Sequence, residues 1–107
     1  MSNDDTFIRR IGSSTFAWCE RVMVGFTPMT RVIVYLDGYR TVGAALADLP
    51  GRIADEQRQA AECRSQGLER EAAACDVEAR RLTRKLDHLT ALVEYRQRIA
   101  REAADGA

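Results

Sequence analysis

A small α+β fold, mostly helical, is what this sequence predicts: a β-hairpin or meander head followed by a long amphipathic, coiled-coil-like C-terminal helix or a helical hairpin. Three observations point there. The aromatics crowd one half, since Phe7, Phe16, Trp18, Phe26, Tyr35 and Tyr39 all precede residue 50 and only Tyr95 follows it. Five of the seven glycines lie in residues 1–51. From residue 52 on, Ala, Arg, Glu and Leu dominate, with apolar positions at steps of three and four. The chain therefore divides into a head, residues 1–49, and a coiled-coil tail, residues 50–105, which together form one structural unit. An all-α chain is the alternative.

In the head, RVIVYLDGYRTV (31–42) invites a β-hairpin folded over Asp37-Gly38. A type I′ turn suits that pair, because both central residues need positive φ. Val34 then faces Thr41, and Ile33 faces Val42. Upstream, FAWCERVMVGF (16–26) supplies a third strand, and Thr27-Pro28 presets the turn between them. In a rival reading Thr27 caps a helix that runs through Met29, Val32, Leu36, Tyr39, Gly43 and Leu46. The β-branched run Val32-Ile33-Val34 and a mid-helix Gly38 count against it. A third option ends the strand at Leu36 and lets Asp37 cap a helix through GYRTVGAALADL.

The tail opens at DLPGR (48–52), where Asp48 can cap and Pro50 sits in a first helical turn. From there a heptad seam follows: Ala54, Arg58, Ala61, Ser65, Leu68, Ala72, Cys75, Ala79, Leu82, Leu86, Leu89, Val93, Arg96, Ala100 and Ala103. Leu92 and Ile99 fall beside it and widen the apolar stripe. Leu68, Cys75, Leu82, Leu86, Leu89, Val93 and Ile99 are thus the candidate interface. An unbroken helix would be about 80 Å long. Ser65-Gln66-Gly67 is its weak point, but without proline the continuous helix is preferred to a bend. Flanking charges do not select a parallel homodimer, because Glu71 would meet Asp76 while Arg64 would meet Glu69 of the other chain.

Sixteen basic side chains balance sixteen acidic ones, so no net field draws the molecule to nucleic acid or an anionic surface. Arg80, Arg81, Arg84 and Lys85 form one local cationic patch, a possible phosphate or nucleic-acid contact diluted by Asp76, Glu78 and Asp87. Trp18, Tyr35 and Tyr39, with Arg31 and Arg40, read as the core and rim of the head before they read as a base-stacking surface. His88 is the only histidine, and the Asp87 next to it points elsewhere on a helix, so no metal site is predicted. Cys63 and Cys75 stand about 18 Å apart on a straight helix and cannot bridge within one chain. Three cysteines without Cys-x-x-Cys spacing, behind an N-terminus unlike a signal peptide, suggest reduced thiols in the cytoplasm. No window reaches the roughly 18 apolar residues of a membrane span. No catalytic constellation and no cofactor motif is present.

AWCERVMVG, RVIV and LDGY together resemble the tryptophan, Arg-Val, strand and Asp-x-Tyr order of gas-vesicle shell proteins. The resemblance covers about a quarter of the chain, and the Arg-rich tail departs from those short apolar shells. LTALVEYRQRIARE is similar to helical stalk proteins of flagellar and type III export systems. The expected function is non-enzymatic: an assembly or adaptor protein whose tail packs with a copy or another protein, with a nucleic-acid-associated regulator as the alternative.

Overall fold

A computed structural model describes residues 5–106. Three strands, β1 (Thr6–Arg10), β2 (Phe16–Val24) and β3 (Thr27–Asp37), precede two helices, α1 (Val42–Ser65) and α2 (Glu69–Asp105). The α+β, mostly helical expectation holds. The strands form one antiparallel sheet in the order β1-β2-β3. Contacts divide the chain into two units, Met1–Ala45 with Arg96–Ala107, and Leu46–Tyr95.

The hairpin predicted at 31–42 does not form. The strand RVIV belongs to β3, but its partner lies upstream in β2, with Trp18 opposite Val34 and Val24 opposite Thr27. The connecting residues are Gly25-Phe26, where Gly25 has φ 64°. A glycine with positive φ at the first central position is the signature of a type II′ turn, whose twist matches the flanking strands. Thr27-Pro28 makes no turn, because Pro28 pairs with Met23 inside the ladder. Proline is tolerated there since β3 is an edge strand. Two irregularities, between Phe16 and Ala17 and between Trp18 and Cys19, offset the β2–β3 register.

β3 ends at Asp37, whose φ of 53° is a left-handed conformation that Asp accommodates. Tyr39 then donates its backbone N–H to the Leu36 carbonyl at 2.9 Å. The third sequence reading is closest here, with one change. The helix cap is Thr41, whose Oγ1 accepts the Ala44 N–H at 3.0 Å. α1 consequently starts before the expected joint at 48–52 and runs through it, with Pro50 inside the helix.

The continuous tail helix is also corrected. α1 stops at Ser65, and Gly67 takes φ 75°. Leu68 N–H bonds the Cys63 carbonyl at 2.8 Å and Gly67 N–H bonds the Arg64 carbonyl at 3.1 Å. These two bonds are a Schellman stop, which needs no proline once glycine supplies the left-handed residue. Within the unit Leu46–Tyr95, Arg64 then reaches forward to Asp76 and, at 3.8 Å, to Glu69.

The break shifts the seam. Beyond it the seam positions Ala72, Ala79, Leu82 and Leu89 are buried, while Leu68 and Ala103 are exposed. Before it, Ala54, Arg58, Ala61 and Ser65 are all exposed, and the less exposed α1 positions after Pro50 are Ile53, Glu56, Ala60 and Cys63. A heptad phase carried backward through a non-helical stretch loses its register, because residues 66–68 do not advance 100° each. In the sheet, Ala17, Cys19 and Leu36 are fully buried and Val34 nearly so.

Candidate functional site

The best-defined polar cluster lies between the middle of β2 and the end of α2, within one unit. Glu20, a buried carboxylate in a central strand, accepts hydrogen bonds from Arg31 and Arg96. Arg31 Nε donates to Oε1 at 2.8 Å, and its Nη2 points to the same oxygen. Arg96 Nη2 donates to Oε2 at 2.7 Å. The Arg96 guanidinium also lies over the Trp18 ring, 5.2 Å from its centroid. Burial alone would raise the Glu20 pKa, but the hydrogen bonds from Arg96 and Arg31 outweigh it and hold the carboxyl below its usual range. This arrangement locks β2, β3 and α2 together.

That cluster also decides which aromatics share a surface. Paired strand residues lie on one side of a sheet. Trp18 and Val34 occupy the side that meets Arg96, while Tyr35, opposite Ala17, occupies the other. Trp18 and Tyr35 therefore form no common stacking platform. Arg40 lies over Phe16, 5.9 Å from its centroid.

Among the described residues, and besides Ile8, Ile11, Val32 and Tyr35, exposed large apolar side chains form two groups. The first is the β2–β3 hairpin end. Phe26 is 99% exposed, Met23 and Val24 are 62%, and Met29 is 50%. Val24 and Met29 share one face of the ribbon by alternation, Met23 and Pro28 share the other, and Phe26 sits at the turn. Among the described residues β1 pairs with β2 as far as Glu20, and the Arg21 N–H then bonds the Asp5 carbonyl at 2.9 Å. Arg21 stands at the base of the hairpin end, its guanidinium 5.4 Å from the Phe7 ring centroid.

The second surface lies on α2. The seam leucines Leu82 and Leu89 are 2% and 0% exposed, so the chain covers them itself. Leu86 and Val93 are half-buried, as is Cys75, while Leu68 and Ile99 are exposed. On the opposite face, Val77 and Tyr95 are separated by eighteen positions, five helical turns, and both are more than half exposed. The same periodicity puts Arg84 and His88 between them and Arg80 at the border, all three exposed.

The predicted cationic patch is thus split. Arg81 donates to Glu78 through Nε at 2.7 Å and Nη2 at 2.9 Å. Those bonds hold the Glu78 pKa below its ordinary value. Arg80 and Arg84 point outward, whereas Lys85 is half-buried. Neither Val77 nor Tyr95 entered the sequence-predicted interface, since both fall outside the seam.

The helix break puts Cys63 and Cys75 on separate helices, so the straight-helix separation no longer describes them. Burial, followed by the nearby Glu56, raises the Cys75 pKa. A thiol shifted in that direction is a weak nucleophile. All three cysteines are free. Among the described residues, no helix is long and apolar enough to cross a membrane. The segments that resemble gas-vesicle shell proteins map onto β2 with its turn, onto β3, and onto the end of β3. No family model, no curated protein and no solved structure matches the chain.

Proposed function

We propose that this chain is a non-enzymatic assembly or adaptor protein that acts through protein–protein contacts, with α2 packing against a copy or a partner. The supporting observation is the outer face of α2, where Val77 and Tyr95 stand in water with Arg80, Arg84 and His88 beside them. Large apolar side chains rimmed by polar ones are what a contact surface looks like before it is covered. The contact surface moves from the seam to this face because Leu82 and Leu89 are already satisfied within the chain. The cationic rim favours an acidic partner surface, which would steer docking more than it would strengthen it.

The reading includes a cytoplasmic location, supported by three cysteines that are free thiols. Its test is the solution mass of the full chain and its recovery of proteins from host extract, compared with Val77→Glu. Retention of a partner or a copy by wild type and its loss in the variant is the expected result. A monomer at every concentration that recovers nothing overturns the proposal. The nucleic-acid alternative uses Arg80, Arg81, Arg84 and Lys85, and it predicts binding that weakens steeply with salt. Absence of binding at low salt removes it.

A further inference from the structure

We infer that the β2–β3 hairpin end is a docking site for an anionic lipid surface. Apolar side chains surround this tip: Val24 and Met29 on one face, Met23 and Pro28 on the other, Phe26 at the apex. A flat protein surface covers one face of a ribbon and leaves the other wet, whereas a fluid medium closes around both. Charge points the same way. From Arg21 to Leu36 the chain has no acidic residue, although it holds sixteen in all. The cations of this stretch, Arg21 and Arg31, lie below the apolar cap, and the Arg31 side chain is 67% exposed even while paired with Glu20. The complement of an apolar tip above a cationic base is an apolar layer beneath anionic headgroups.

The dimensions agree. Met23 to Gly25 spans about 7 Å of strand, which fits the 5–10 Å that interfacial elements penetrate. Two residues further back, Arg21 reaches headgroup depth. Backbone chemistry sets the limit of insertion, because β3 is an edge strand and the N–H and C=O groups on its outer side are not tolerated in a hydrocarbon interior. The tip therefore rests at the interface rather than crossing it. This site is separate from the α2 face and does not depend on it.

The experiment is sedimentation of the full chain with vesicles of phosphatidylcholine alone or with equal parts phosphatidylserine, at low and physiological salt. Wild type sediments with the anionic vesicles and much less with the neutral ones. Phe26→Ser lowers the partition coefficient about ten- to hundredfold. Arg21→Gln lowers it about fivefold and flattens its salt dependence. Because Phe26 is bare of protein contacts, an unchanged circular-dichroism melt verifies that these losses are not unfolding. In Phe26→Trp, the added fluorescence shifts to the blue on anionic vesicles only. Equal sedimentation of wild type and Phe26→Ser, or no shift in Phe26→Trp, overturns the inference. So does a fall in solution mass in Phe26→Ser with no vesicle binding by wild type, which would assign the tip to contact between copies.

Discussion

Glu20 shows how one residue ties a strand to a helix far away in sequence. Its carboxylate is removed from water and offset by two guanidiniums, so deleting the charge strands both arginines. Glu20→Gln is expected to cost about 1–3 kcal/mol at neutral pH, measured by urea unfolding. The pH dependence has a definite sign. A carboxyl whose folded pKa lies below its ordinary 4.5 adds stability that is present above that value and fades as pH falls through the lower, folded value. The gap between wild type and Glu20→Gln should therefore narrow on acidification; a gap independent of pH would contradict the account. Gly67 is a second single-residue determinant. At φ 75° a β-carbon is strained, so Gly67→Ala should destabilise by about 1 kcal/mol or more. The role of Gly67 was readable as a weak point, whereas Glu20 looked like any strand-borne acid. Nothing in FAWCERVMV says that Arg96, seventy-six positions away, will meet it.

Among the elements, α1 carries a visible flaw. Pro50 lies in its interior, where the ring removes the N–H that would bond the Leu46 carbonyl and crowds that same carbonyl. Pro50→Ala should stabilise the protein by about 1–3 kcal/mol in thermal or urea unfolding, and a loss of stability would contradict this account. The sequence reading used Pro50 as a start signal, a role that proline serves in a first turn. Thr41 overrode it, because its hydroxyl caps about two turns earlier and Val42-Gly-Ala-Ala-Leu had no other structure to join. The same logic relocated the hairpin. Asp37-Gly38 was the stronger turn signal taken locally, yet a strand at 39–42 would have been only four residues long. Gly25-Phe26 instead gives β3 nine registered partners on β2 and buries Val34. Local turn propensity loses when the competing register covers more apolar surface.

At the level of the whole molecule, the division between covered and uncovered apolar residues predicts how it responds to substitution. Leu89→Ala, at a fully buried site, should cost about 2–5 kcal/mol, while Phe26→Ser should leave the unfolding midpoint within about 0.5 kcal/mol of wild type. Equal effects at the two positions would show that the hairpin end is covered in solution. Of the tail seam and the residues beside it, Ala72, Ala79, Leu82 and Leu89 are covered within the chain, whereas Leu68 and Ile99 stay exposed. What faces outward on α2 is a sparser row of Val77, Arg84, His88 and Tyr95. That row has no heptad signature, because a stripe with one apolar residue every few turns averages to a polar face.

By itself the sequence determined the kinds of element and their order: β-branched and aromatic residues before position 40, three-four periodicity after 68, and a glycine where the helix had to stop. Those choices depend on near neighbours, through steric preference and hydrogen bonds within a few residues. Only the tertiary structure decided which strand β3 would pair with, how the α1 seam was phased, and which apolar residues would be left in water. These are competitions between distant segments for the same buried surface, and the outcome rests on total area covered rather than on any local signal.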